Sequence, residues 1–208
     1  VARATNGVFG ELGVVLRDAA GALAAADLRL AEAAVTGGDG IEGRLDALRH
    51  AVLVGGDTVR WAPLRRGSRD QLDRYSRVVT HADLAARTML VLARNVRVFV
   101  RGGDAPHPGL ADAIRDLGLA AWELPRQFDE PWRSGDVLRL ALGAAGQATA
   151  VAARDRRLAV NEIAGQVRSI AIDIVRASEA GETDSSTLGD APTEELLAAL
   201  PFPDAAAA

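Results

Sequence analysis

The chain has 208 residues, 49% of them hydrophobic and 25% charged, so it is long enough to fold around a hydrophobic core of its own. It contains no cysteine, which excludes disulfide bonds and thiolate chemistry. The net charge is −4, but the seven acidic residues after Ser178 are accompanied by no basic residue. The part before them therefore has a net charge of only +3, which is too small to indicate nucleic-acid binding.

No uncharged apolar stretch reaches the roughly 18 to 20 residues that a membrane-spanning helix requires. The longest such stretch runs from Leu140 to Ala153, between two arginines. We therefore expect a soluble domain. Because the chain begins at Val1 with neither a methionine nor a signal-like segment, we also expect it to be part of a longer protein.

Apolar and small residues recur at steps of three and four from Val8 to Ala33, which predicts one long amphipathic helix ending at Thr36-Gly37-Gly38. Its first part contains Gly7, Gly10 and Gly13. Each of these costs about 1 kcal/mol relative to alanine in a helix. They indicate either a frayed end or an unusually close contact with a neighbouring helix.

Two further helices are predicted in the next part of the chain. One runs from Ile41 to about Val59 and is weakened or interrupted at Gly55-Gly56. The other keeps a strict three-four step over four heptads, from Leu72 to Val100, and the glycines after Arg101 end it as a C-cap.

The last part of the bundle is predicted to hold three helices. They run from Leu110 to Trp122 or a little beyond, closed by Pro125, from about 130 to 154, and from Leu158 to Ala177. Six helices with short connections, and no alternating pattern typical of strands, predict an all-α antiparallel helical bundle over residues 1–178.

Residues 179–208 are rich in Gly, Ser, Thr, Asp and Pro, which is typical of a flexible acidic tail. Within it, Thr193-Glu194-Glu195-Leu196-Leu197 is able to start one short helix before Pro201. This segment is an open candidate for docking.

Arginines form a stripe on the second half of the third predicted helix. Arg87, Arg94 and Arg101 repeat every seven residues, and Arg97 lies four residues before Arg101. Since a forked guanidinium binds an organic carboxylate well, Arg94, Arg97 and Arg101 are candidate ligand-binding residues. The alternative is a solvated helix face, in which arginines pair with acids at i, i+4, as Asp83 does with Arg87.

One face of the last helix is polar. It consists of Glu162, Gln166, Ser169, Asp173 and Arg176. If another helix covers this face, it forms a buried polar network or the wall of a pocket; otherwise it is an exposed surface.

The large aromatic residues Trp61, Trp122, Trp132 and Phe128 lie near helix ends and connections. They are expected either to cap the bundle or to form a small aromatic pocket.

Motifs for catalysis and metal binding are absent from the sequence. His50, His81 and His107 fall in different segments, and none has a second ligand-type residue at the i, i+4 spacing of a metal site except by weak accident, as Asp46 has to His50. Nothing matches a nucleophile elbow, a phosphate loop or a dinucleotide fingerprint. We therefore expect a protein that is not an enzyme and that uses no metal and no cofactor.

Two segments carry a family resemblance. The first begins at Leu72-Asp73-Arg74 and continues through Ala93-Arg94-Asn95-Val96-Arg97-Val98, and the second is Gln166-Val167-Arg168-Ser169-Ile170-Ala171-Ile172-Asp173. Together with the order of the helices between them, they resemble the soluble C-terminal region of actinobacterial aromatic acid exporters, the fusaric acid resistance-like family of membrane transporters. The resemblance spans about residues 8–177.

This resemblance implies an accessory domain on the cytoplasmic side of the cell membrane, with a membrane-spanning part of the same protein preceding Val1 as its partner. Such a domain serves in assembly, in gating or in the capture of small aromatic carboxylates. It implies no inherited site residue, and the missing membrane span is a departure from the family. A free-standing helical interaction or regulatory module is the alternative, and self-association into a homo-oligomer stays open.

Overall fold

The computed structural model describes residues 1–60, 66–128, 130 and 134–181. In these ranges the chain forms seven α-helices and no strand, which confirms the predicted all-α class. The helices are α1 (Ala2–Ala25), α2 (Leu28–Asp39), α3 (Ile41–Arg60), α4 (Arg66–Arg101), α5 (Pro108–Gln127), α6 (Ser134–Arg154) and α7 (Leu158–Gly181). None of the helices in the described ranges combines the length and the apolar character needed to cross a bilayer.

The prediction of one long first helix is wrong, because the chain turns between α1 and α2. Ala26 adopts a left-handed conformation, with φ 52° and ψ 39°. The Asp27 carboxylate then caps α2 by accepting hydrogen bonds from the backbone N–H groups of Arg29 (2.8 Å) and Leu30 (3.4 Å). The three-four pattern of apolar residues continues through this turn, so periodicity alone did not reveal it.

Helix α2 folds back along α1, and its glycines allow the close approach. A Cβ atom on Gly37 would lie 3.0 Å from Val15 of α1, and one on Gly38 would lie 2.9 Å from Leu90 of α4. These two glycines therefore lie inside the helix, where they contact its neighbours, and α2 ends at Asp39 rather than at the predicted Thr36-Gly37-Gly38.

Other predicted boundaries also move. Helix α3 continues through Gly55-Gly56 to Arg60, and α4 begins six residues before Leu72. Helix α5 includes Pro125, which lies in its last turn, where a proline removes a single backbone hydrogen bond. Helix α7 reaches Gly181, three residues past the predicted domain boundary, and the rest of the acidic tail lies outside the described residues.

The helices that carry most of the core are antiparallel to their neighbours, except that α1 and α4 run parallel. Helix α1 packs on α5, α5 on α6, α6 on α7, and α7 on α4, while α1 and α4 also meet, so the five helices form a ring. The direction of each pair of helices follows from two contacts at different heights along their interface. For α1 and α5 these are Gly10 with Trp122 and Leu23 with His107, and for α5 and α6 they are Asp116 with Gln147 and Gly109 with Val151. For α4 and α7 they are His81 with Asp173 and Phe99 with Arg157.

Small residues fill much of the core. Of the 48 buried apolar residues in the described ranges, 22 are alanine, so helix axes approach closely. The backbones of α1 and α5 come close together, since a Cβ atom on Gly13 would lie 3.1 Å from the carbonyl oxygen of Gly118. The glycines near the start of the chain thus belong to a helix that begins at Ala2, and Gly13 makes the close contact that was one of the two expectations.

A reciprocal pair of hydrogen bonds joins the ends of α5 and α7. The Gln127 side-chain amide donates to the Ser178 carbonyl (2.9 Å), and the Ser178 hydroxyl donates to Gln127 Oε1 (2.8 Å). Both residues are buried, so these two hydrogen bonds replace the hydrogen bonds to water that each group loses on folding. The pair fixes the last turn of α7 against α5.

We expect Gly13→Ala to destabilise the protein and Gly143→Ala to stabilise it. Both replacements add about 1 kcal/mol of helix propensity. At Gly13 the new methyl group meets the carbonyl of Gly118, and such overpacking costs about 1 to 3 kcal/mol, whereas a methyl group at Gly143 of α6 meets nothing within 4 Å. Urea unfolding of both variants measures the difference. A stabilising Gly13→Ala would contradict the close contact.

Candidate functional site

The outward face of α4 is a continuous stripe of six exposed residues at steps of three and four. We call it the α4 seam, and its members are Leu84, Arg87, Val91, Arg94, Val98 and Arg101. The opposite side of the same helix is buried against α1, α2, α3 and α7. The seam is therefore the one face of this part of α4 that no described helix covers.

Three members of the α4 seam are apolar. Leu84, Val91 and Val98 are 45%, 46% and 64% exposed, and they follow one another at intervals of seven residues. A solvated helix face is normally polar, whereas apolar residues repeated every seven positions are typical of a surface that packs against another helix. The burial pattern thus makes this face a candidate docking surface.

The other three members are arginines, and the seam contains no acidic residue. Arg87 pairs with Asp83 on its own helix (2.9 Å, Nε to Oδ2), as the i, i+4 spacing predicted. Arg94 reaches Asp39 at the end of α2 (3.2 Å, Nη2 to Oδ1), and both side chains are more than half exposed. Arg101 forms no ion pair with any residue in the described ranges. The positive charge on the seam is therefore only partly balanced.

The structure brings the three predicted ligand-binding arginines onto one side of α4. Arg94 and Arg101 belong to the seam and are exposed, whereas Arg97 is half-buried. Arg97 lies seven residues after Leu90, which faces Gly38, so it is on the α2 side of the helix. The three guanidinium groups thus share an open surface rather than converging in the interior.

No described tryptophan lies beside these arginines. Arg101 is at the end of the bundle where α5 begins, whereas Trp122 is 14 residues along α5, about 21 Å away along its axis. There the indole is 47% exposed and packs near Gly10, and the Arg126 guanidinium lies 5.6 Å from the ring centroid. Phe128 packs edge-on against Tyr75 instead, and Trp61 and Trp132 lie outside the described residues.

The predicted polar face of α7 is half covered by α4. Glu162, Ser169 and Arg176 are exposed, whereas Asp173 is only 9% exposed and meets His81 of α4 at 3.4 Å (Nδ1 to Oδ1). Burial raises the pKa of Asp173, and the contact with His81 opposes that rise. This face is therefore a structural contact between α4 and α7 at its inner edge and a solvated surface at its outer edge.

A charged cluster that the sequence did not suggest joins two connections at one end of the bundle. Arg157, between α6 and α7, donates to Asp155 (2.7 Å) and to Asp104 (2.9 Å), which follows α4. Its guanidinium also lies 5.4 Å from the Phe99 ring centroid. The hydrogen bonds from Arg157 lower the pKa of Asp155 far below its usual range. The cluster holds the two connections together at an exposed surface.

Two of the three histidines, His107 and His81, have structural roles. His107 caps α5, since its Nδ1 accepts a hydrogen bond from the Leu110 backbone N–H (3.3 Å), and its Nε2 lies 3.5 Å from Asp155. His81 contacts Asp173, and His50 is exposed. Across the described ranges, no three His, Asp or Glu side chains are grouped so that they could hold a metal ion.

Comparison with protein-family models, with curated proteins and with solved structures gives no match for this chain.

We expect Asp173→Asn to raise the melting temperature at pH 8 and to have a smaller effect at pH 4. The pKa of Asp173 is higher in the folded protein than in the unfolded chain, so its carboxyl favours folding at acidic pH, and this contribution is lost as the pH rises through the folded pKa. Asparagine keeps a carbonyl for His81 and never ionises.

Calorimetric melting between pH 4 and 8 measures this effect. Glu162→Gln, which removes an exposed carboxyl from the same helix, is the control and should leave the pH profile unchanged. If Asp173→Asn lowers the melting temperature equally at every pH, the charged form of Asp173 is the stabilising one and our interpretation is wrong.

Proposed function

We propose that this chain is a helical docking domain of an aromatic acid exporter of the fusaric acid resistance-like type, and that it acts on the cytoplasmic side of the membrane. Its role is assembly of the exporter, with the α4 seam as the contact surface. The observation that carries the role is the repeat of exposed apolar residues and arginines along that seam.

The assignment to an exporter is supported by the sequence resemblance and by where the similar segments lie. The first segment is in α4 and the second is in α7, and these two helices are antiparallel neighbours. Asp173, the last residue of the second segment, contacts His81 within the span of the first. The resemblance therefore concerns one packed pair of helices rather than two unrelated surface stretches.

The partner that fits the seam is an amphipathic helix with acidic residues, supplied by the membrane-embedded part of the exporter. Leu84, Val91 and Val98 offer it an apolar line, and the arginines between them favour carboxylates. A lipid surface is a poorer fit, because helices that lie in a membrane interface usually insert Trp or Phe, and the seam has neither.

Capture of a small aromatic carboxylate is less well supported than docking. The three candidate arginines lie on an open helix face, where each ion pair contributes only about 0.2 to 1 kcal/mol. A small ligand also needs a concave, largely desolvated site. The available charge therefore favours a long, flat contact with a protein over a pocket for one molecule.

The membrane assignment is tested with the complete gene product that contains this chain. We expect it in the membrane fraction of lysed cells, released by detergent but not by concentrated salt. Recovery in the supernatant without detergent would overturn the exporter assignment and favour the free-standing interaction module.

The docking role is tested by Val91→Glu in the same gene product. We expect export of aromatic acids to fall about tenfold, equivalent to about 1.4 kcal/mol of lost docking free energy, because a carboxylate in an apolar contact is poorly solvated. Leu119→Glu is the matched control, since Leu119 of α5 is 49% exposed, close to the 46% of Val91, and lies outside the seam.

Efflux of a fluorescent aromatic acid is measured, together with the size of the detergent-solubilised complex. Equal losses in the two variants would contradict a specific role for the seam. Binding of the purified chain to anionic vesicles that Val91→Glu abolishes would point to the lipid surface instead.

We expect no binding of aromatic acids by the purified chain. Titration calorimetry with several such acids should give only heats of dilution, because the arginines occupy an open face. Heat that Arg97→Ala removes would instead support substrate capture by Arg94, Arg97 and Arg101.

A further inference from the structure

The α4 seam has a counterpart in the chain itself. Residues 182–208 contain six acidic residues and no basic residue. Two of the acids, Glu194 and Glu195, are directly followed by Leu196 and Leu197, and Leu200 comes one turn later in helical spacing. This C-terminal segment thus combines negative charge with apolar side chains. These two properties complement the arginines and the exposed apolar residues of the α4 seam.

We propose that residues 193–200 dock on the α4 seam of the same molecule, over Val91, Arg94, Val98 and Arg101, and cover it until the exporter partner displaces them. The leucines would bury the two valines, and the glutamates would face the two arginines. The inference rests on the seam of the proposed function and adds its regulation by self-masking.

The connecting residues are long enough for this contact. Helix α7 runs antiparallel to α4, with Asp173 beside His81, so its end at Gly181 lies beyond the start of the seam. Counting along both helices, the level of Val91 is about 27 Å from Gly181. The 12 residue steps from Gly181 to Thr193 span at most about 40 Å. The connecting residues are therefore long enough for residue 193 to reach Val91, with residues 194–200 left to extend toward Val98.

Charge favours this segment over a second copy of the chain as the occupant. Two α4 seams facing each other would bring six arginines into one interface without a single carboxylate from either seam. The C-terminal segment supplies carboxylates. Because it is attached to the same chain, its effective concentration at the seam is on the order of millimolar, as for other short flexible linkers. A weak contact is therefore sufficient for docking.

The test uses the absence of cysteine in the chain, since an introduced pair is then unique. The full chain with Val91→Cys and Leu196→Cys is treated with a short bismaleimide. We expect a cross-link within one molecule, seen as a monomer band of altered mobility. The matched control pairs Leu196→Cys with Leu119→Cys, an equally exposed position on α5.

The control is a demanding one. Ser178 is hydrogen-bonded to Gln127, and Leu119 is only eight residues, about 12 Å, from Gln127 along α5. An undirected C-terminal segment therefore reaches Leu119 at least as readily as Val91. We expect cross-linking at Val91 to be roughly tenfold faster or more, because docking raises the local concentration at that site only.

Charge reversal completes the experiment. Arg94→Glu with Arg101→Glu should slow cross-linking at Val91 to the control rate, and adding Glu194→Arg with Glu195→Arg should restore it. Unchanged helical content by circular dichroism shows that these variants fold. Equal rates at Val91 and Leu119, or cross-links only between two molecules, would overturn the proposal while leaving membrane localisation and export by the complete protein untouched.

Discussion

The close approach of α1 and α5 at Gly13 and Gly118 is the contact on which the rest of the bundle depends. A methyl group on either glycine would press on the backbone or side chains of the opposite helix. With the two helices at this short distance, alanines are large enough to fill the neighbouring layers, and they make up 22 of the 48 buried apolar residues that the structure describes. Because the helices lie this close together, small side chains fill the core, and few large aromatic residues are needed. This explains how a chain with only 4% aromatic residues still forms a packed core.

Polar contacts at the two ends then fix the register of the ring of helices. At one end Arg157 joins the connection after α4 to the connection before α7 through Asp104 and Asp155. At the other end, Gln127 and Ser178 exchange two hydrogen bonds in the interior. Apolar packing between alanines is weakly directional and would allow one helix to slide along another. Such a slide would break these hydrogen bonds, so they make one register more stable than the others.

The sequence predicted the helices well wherever one face is apolar throughout. Helix α4 is the clearest case, because its buried residues repeat without interruption and glycines end it at Arg101, where Gly103 adopts a positive φ of 79°. The turn at Ala26 was missed because small and apolar residues continue across it. Asp27, a good N-cap residue, was the only local signal, and an isolated aspartate occurs too often inside helices to be decisive.

The candidate site was predicted only in part, for a different reason. The seven-residue repeat of Arg87, Arg94 and Arg101 is visible in the sequence, and so is the pairing of Arg87 with Asp83. Whether Leu84, Val91 and Val98 are buried depends on which helices surround α4, and that is decided by tertiary packing. The cluster around Arg157 likewise joins residues more than fifty positions apart in the chain, which no local pattern reports.

The division of roles within the α4 seam follows from how its two kinds of side chain act in water. The exposed parts of Leu84, Val91 and Val98 gain about 25 cal/mol for each Å² that a partner buries, so they provide most of the affinity. Exposed arginines provide little net affinity, but they attract acidic partners and repel basic ones before contact is made. A seam built in this way selects by charge and holds by apolar contact, so any acidic helix that presents leucines competes for it. An acidic, leucine-containing segment of the same chain meets both requirements at a local concentration that a separate partner reaches only when it is held close by in an assembled complex.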